Sequence, residues 1–228
     1  MIARKKEFAV GSAMLVSFFV VLFIFFSPVF EGKNGLDYLD SLYNSISKGS
    51  VYYVPKAREE AKPFTGVAIE ADLTMGSPAQ AQQTAELFMK TGAMVNVSEA
   101  KLKVSGDLGK FLDNSLVDAD AMYFNDGKKV SDKYGYNERQ VLYNWWMAFK
   151  EIDKDLTKQK KFKESKVVAS ISKKAIETCY NYYQIKPEKI MDQLWMVISS
   201  LAFYVIYTLW YGFAILFLFE GWGLQIEH

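Results

Sequence analysis

Chemistry at a protein site needs nucleophiles, bases or metal ligands brought together, and few of these are present. The chain has one histidine, His228, at its C-terminal end, and one cysteine, Cys179. One thiolate and one terminal imidazole argue against a zinc, copper or haem centre built by this chain alone, and no C-x-x-C-H attachment motif is present. Asp113, Asp118, Asp120 and Asp126 offer oxygen ligands for calcium, but they lack the Gly and Glu positions of an EF-hand loop. A serine nucleophile without a nearby histidine needs lysine as its base. No S-x-x-K stands in a convincing frame; Ser45 to Lys48 matches the letters but sits in a helix next to the first apolar run. Glu59 and Glu60 are adjacent and point different ways on a helix, so they do not straddle a bond. Phosphate-cradling glycine motifs are absent from the sequence. These residues predict a chain that is not an enzyme by itself and holds no metal or cofactor.

Aromatic residues are more informative. Tyr204, Tyr207, Trp210 and Tyr211 recur at spacings of three and four inside a long apolar run. Their polar tips need partners in hydrocarbon, so the spacing predicts one shared face against another helix. Ala9, Ala13 and Ser17, at intervals of four, form a small-residue stripe that lets helix backbones approach closely. The two stripes are read as contacts to partner helices; the two apolar segments packing on each other is the alternative. Trp195 and Trp222 stand at opposite ends of the second run as interfacial anchors. Trp146, beside Trp145, is turned partly off a helical seam and is the candidate contact residue of the polar segment.

These stripes require elements that cross a bilayer. No charged residue occurs from Phe8 to Phe30 or from Leu194 to Phe219, and each run exceeds the roughly 20 residues that span a hydrocarbon core. Arg4, Lys5 and Lys6 precede the first run, which is longer than a signal-peptide core and lacks a small-x-small cleavage site. It is read as a retained anchor with a cytoplasmic N-terminus. The expected organisation is a cytoplasmic N-terminus (1–7), a first transmembrane helix (8–30), an extracytoplasmic α+β domain (31–190), a second transmembrane helix (191–219) and a cytoplasmic tail (220–228).

Within residues 31–190, 24 Lys and Arg face 22 Asp and Glu, which gives no electrostatic reason for a nucleic-acid partner. Leu36, Leu39, Tyr43 and Ile46 predict a helix ending near Gly49. "VYYVP" reads as an extended piece ended by Pro55. Val67, Ile69, Ala71 and Leu73 alternate as a strand. Ser77, Pro78 and Gln80 start a helix that runs to Thr91, with Gly92 as its cap. Val95, Val97, Leu102 and Val104 resume alternation on a shifted phase, read as a strand with a bulge near Ser98.

A helical face follows from Leu108 to Met122, then a turn at Asn125 to Gly127. Leu142, Trp145, Phe149, Ile152 and Leu156 form the seam of a long helix. Its partner holds Val168, Ile171, Ala175, Cys179 and Tyr182, joined through the lysine-rich linker 157–165, which is read as solvated. Pro187 is expected to stop that second helix and begin the last span, with Glu188 near its positive end. Asn96-Val97-Ser98 matches the glycosylation pattern but carries little weight.

The expected fold class is therefore an α+β exported domain, a strand-helix-strand unit plus an antiparallel helical hairpin, anchored by two transmembrane α-helices. Seven residues before the first span and about nine after the second cannot hold a signalling output, so any effect of the last helix is expected to pass sideways to membrane neighbours. The expected function is an accessory subunit of a bacterial inner-membrane complex, two-pass with both termini inside. Its partners would be other membrane subunits and the lipid bilayer, with a homo-oligomer as a further possibility. The alternative is a membrane-anchored binding module that relays occupancy to a membrane partner.

Overall fold

A computed structural model describes residues 2–224. The chain is a helix-rich α+β protein with a three-stranded antiparallel sheet and two helices long and apolar enough to cross a membrane. Its contacts divide it into two units, Met1–Ser47 with Glu188–His228, and Lys48–Pro187.

In the first unit, α1 (Lys5–Phe26) and α10 (Leu194–Trp222) carry the apolar runs. At about 1.5 Å per residue they are about 33 and 43 Å long. α2 (Gly35–Ser50) begins in this unit as the expected helix, but Leu36 and Tyr43 of the predicted face are exposed, and the buried apolar residue is Leu42. The expectation that Pro187 opens the last span is corrected: α10 starts at Leu194, and residues 190–193 are turns. The Glu188 carboxylate instead accepts from Gln193 Nε2 at 2.7 Å.

In the second unit, "VYYVP" is not extended. α3 (Val54–Ala61) starts there, with Pro55 in its first turn. A proline at that position gives up an N–H that has no helical acceptor, so it begins a helix as readily as it ends a strand. A short 3-10 turn, Lys62–Phe64, leads to β1 (Ala68–Thr74), whose Ile69, Ala71 and Leu73 are buried while the residues between them are exposed.

Ser77 caps α4 (Pro78–Met89): its Oγ accepts from Gln80 N at 3.2 Å, and Gln80 Oε1 accepts from Gly76 N at 2.9 Å. The expected bulge is a hairpin. β2 (Met94–Ser98) turns through Glu99 and Ala100 into β3 (Lys101–Asp107), and Val97 pairs with Leu102 while Val95 pairs with Val104. The phase shift in the sequence is the price of a two-residue turn, with Glu99 at φ 53°. The sheet order is β1-β3-β2, antiparallel throughout.

α5 (Leu108–Tyr123) is the predicted helical face. α6 (Gly127–Tyr134) follows it and was not expected; it buries Val130 and Tyr134 and ends at Gly135, φ 76°. α7 (Glu138–Lys158) buries every residue of the predicted seam. The loop to α8 (Phe162–Ile171) is shorter than the predicted linker, running from Gln159 to Lys161 with Lys160 at φ 60°.

The partner helix is not continuous. Ser172–Glu177 widens into a π turn before α9 (Thr178–Asn181). Val168, Ile171, Ala175 and Cys179 are buried as expected, and Tyr182 is only half-buried. α7 lies centrally, packing on β1, α4, α6 and α8.

Candidate functional site

Of the predicted helix-contact residues, the first unit brings Tyr207, Trp210 and Tyr211 onto α1. From Phe8 onward α1 is apolar, and its pairing with α10 has two close approaches, one at Gly11 of α1 and one at Gly221 of α10. A Cβ at Gly11 would stand 2.7 Å from Leu218 N and 2.9 Å from Ala214 O. One at Gly221 would stand 2.6 Å from Phe8 Cβ. At such separations only glycine fits, and the absent side chains let the helices close on each other. The Gly221 carbonyl also accepts from Ala3 N at 2.9 Å and Arg4 N at 3.1 Å, satisfying a free carbonyl in the last turn of α10.

Aromatic rings extend this contact. Phe18, 6 % exposed, stacks on Tyr207 with centroids 4.3 Å apart and lies 5.0 Å from Tyr211. Phe203 continues the row, 5.6 Å from both Tyr207 and Phe25. Trp210 donates its Nε1–H to the Met14 carbonyl at 3.1 Å. Tyr207, Trp210 and Tyr211 therefore meet this chain's own α1.

Tyr204 does not join them. It is 68 % exposed, about 15 Å along α10 from Leu194. Ala9 and Ala13 are also exposed, and Ser17, half-buried, turns its hydroxyl back to the Ala13 and Met14 carbonyls. The predicted small-residue stripe thus lies off the seam with α10, which runs through Gly11 and Phe18. The sequence reading does not single out those two or Gly221; the available signal was Gly11 inside the first apolar run and Gly221 just past the end of the second. Trp195 is 80 % exposed, and Trp222, 54 % exposed, lies 6.0 Å from the Phe8 ring.

An apolar cleft of about 420 Å³ opens in the same unit. Phe25, Val29, Phe30, Leu39, Met196 and Phe203 wall it. Beside it, Tyr43 and Ser200 share a hydrogen bond of 2.7 Å.

The second unit holds polar nodes inside its core. Asp118, 1 % exposed, accepts from Lys133 Nζ at 2.6 Å, Tyr134 OH at 2.7 Å and Trp145 Nε1 at 2.9 Å. Burial, and then Asp118, hold the Tyr134 phenol well above its ordinary pKa. Asn144, fully buried, joins Gln80, Gln83, Tyr136 and Gln140. Lys48 is buried with its Nζ on Asn125 Oδ1 at 3.0 Å and the Ile185 carbonyl, and burial lowers its pKa. These groups pair with one another.

The aspartates considered for calcium do not converge on one point. Asp120 takes the Tyr52 hydroxyl at 2.7 Å and faces Arg58 at 3.6 Å, whereas Asp118 is enclosed as described. Glu59 and Glu60 go separate ways, to Lys62 and to Ser170 with Lys174. His228 lies outside the described residues.

Trp146 is half-buried under Lys150, whose Nζ is 4.8 Å from the ring. With Lys150, Asp153, Lys173 and Glu177 it lines a cleft of about 230 Å³ between α7 and the π turn. Comparison with protein-family models, with curated proteins and with solved structures gave no match.

Proposed function

We propose that this chain is a two-pass membrane protein acting as a non-catalytic accessory subunit of a bacterial inner-membrane complex, with both termini cytoplasmic and residues 31–190 extracytoplasmic. Arg4, Lys5 and Lys6 support that orientation through the excess of cations on the cytoplasmic side. One observation carries the assembly role: pairing of α1 with α10 leaves Ala9, Ala13 and Tyr204 exposed. Small residues give a close-approach face, and a phenol far along an apolar helix calls for a hydrogen-bond partner. A second helix from another subunit supplies both.

The test is purification of the tagged, natively expressed protein in mild detergent, with identification of whatever stays bound in stoichiometric amount. Membrane subunits are expected, and Ala9→Leu with Ala13→Leu should release them while the chain itself stays folded. A protein that comes away alone and monodisperse overturns this reading.

A binding-module reading is favoured by one feature, the cleft at Trp146 beside the π turn Ser172–Glu177. Such turns interrupt a regular helix at some cost and are frequent at functional sites. Ligand screening against the wild type and Trp146→Ala would test it.

A further inference from the structure

The tip of the α7–α8 hairpin carries a single apolar ring inside a group of cations. Lys158, Lys160, Lys161, Lys163 and Lys166 put five positive charges into nine residues, against Glu164 as the one acid, in a chain with a formal net charge of +1. Among the described residues none of the five is in an ion pair, whereas Lys62, Lys103, Lys128, Lys133, Lys154 and Lys174 each are. Phe162, the first residue of α8, is 63 % exposed in their midst.

The fold holds this tip in place. Lys161 N donates to the Leu156 carbonyl at 2.9 Å, and Ser165 N to the Lys161 carbonyl at 3.0 Å. The Ser165 hydroxyl donates to Asp153 at 2.5 Å and lies 3.0 Å from the Thr157 hydroxyl. Gln159 Nε2 donates to the Glu70 carbonyl and to Asp155, both at 2.8 Å. Leu156 and Val168 are fully buried beneath. With its base so fastened, the phenyl ring is presented outward by a formed turn.

We propose that this tip docks on the anionic headgroup surface of a phospholipid bilayer. The charge is complementary, and its form suits that partner. All five cations are lysines, compact hydrated charges that respond to a diffuse field, whereas a fixed carboxylate is better met by the planar fork of arginine. A lone aromatic ring can enter the boundary between headgroups and acyl chains without a matching pocket. An aromatic anchor for a protein partner stands in a rim of packed neighbours.

The test uses the full chain in nanodiscs of phosphatidylcholine, mixed with heavy vesicles of phosphatidylcholine alone or with phosphatidylglycerol, and then sedimented. Empty nanodiscs are the blank. The protein should sediment with the phosphatidylglycerol vesicles only, and added salt should release it as the screening length falls. Lys160→Gln, Lys161→Gln and Lys163→Gln together should weaken binding about tenfold or more. Phe162→Ser should weaken it less and leave its salt dependence in place. All four changes are at the surface, and an unchanged thermal unfolding midpoint confirms that the variants fold.

Equal sedimentation with neutral vesicles overturns the proposal, as does binding that the triple variant leaves unchanged. So does a tip that binds polyglutamate more tightly than the anionic vesicles, which would mark it as a site for an acidic protein. Because the nanodisc already holds α1 and α10, none of these outcomes depends on whether other subunits pair with those helices.

Discussion

The α1–α10 pair and the core of residues 48–187 are both well packed, but by different means. Along α1 the contacts are made by absent side chains at Gly11 and Gly221, by stacked rings at Phe18 and Tyr207, and by one indole bond to a backbone carbonyl. In the second unit a continuous apolar core runs from Val54 to Cys179 and encloses Asp118, Asn144 and Lys48, each hydrogen-bonded to more than one partner. The surrounding medium explains the difference. Water drives the second unit's side chains inward, and polar nodes then fix which packing is adopted. On the proposed membrane placement, hydrocarbon gives two apolar helices no such drive, so close backbone approach and a few specific contacts hold them.

Asp118 offers the sharpest test of that contrast. Asp118→Ala would leave the Tyr134 and Trp145 donors without their shared acceptor in the core, and Lys133, whose side chain is 27 % exposed, with Asn114 as its remaining partner. Breaking a buried charged network from one side costs about 3–5 kcal/mol. Denaturant unfolding of the second unit, followed through tryptophan fluorescence, should show that loss, while Asp118→Asn keeps part of it. A cost below about 1 kcal/mol would mean that the node is no more than a surface-like ion pair.

The corresponding test in the other unit adds a side chain. Gly11→Val would place carbon against Leu218 N and Ala214 O, both backbone atoms that cannot swing aside. Overpacking of this kind costs about 1–3 kcal/mol. Cysteines at Phe18 and Tyr207 should crosslink in the wild-type background and lose that crosslink in Gly11→Val, with unfolding of the second unit unchanged. If the crosslink survives, the glycine contact is not what holds the pair.

The same contrast governs what could be read from the sequence. β1 and α7 were legible because water imposes a period on them: Ile69, Ala71 and Leu73 alternate, and Leu142 to Leu156 trace one seam. α10 is apolar on every side, so its spacing selects no face, and Tyr204 was grouped with Tyr207 and Tyr211 although it points away. The β2–β3 turn was hidden because Glu99-Ala100 lacks the Asn-Gly or Gly signature of a tight hairpin. α6 was hidden by its length and its charges, although Val130, Tyr134 and the cap Gly135 carried a signal. Asp118 resembled a calcium ligand because its donors lie 15 to 27 residues away. The lysine-rich linker is largely exposed, as its solvated reading expects, but its sequence does not disclose that the fold leaves Phe162 outside with it.

Cys179 gives the smallest effect, and it belongs to the second unit alone. Burial pushes its thiol from an ordinary 9.0 up to about 12. Between those values the unfolded chain has released the proton and the folded chain still holds it. Unfolding is then favoured as pH rises, by about 1.4 kcal/mol per pH unit from this one group. The contribution is fully present below pH 9 and is lost as pH climbs toward the folded value. Stability measured from pH 8 to 10.5 should therefore decline less steeply in Cys179→Ala than in the wild type, even though the variant starts lower because of its small cavity. Alkylation at pH 8 should also be slow in the folded protein and fast in denaturant, since the thiolate is the reactive form and the fold suppresses it. Parallel pH slopes for wild type and variant, or ready labelling of the folded chain, would show that the core around Cys179 admits water and that the two units are less different than their packing implies.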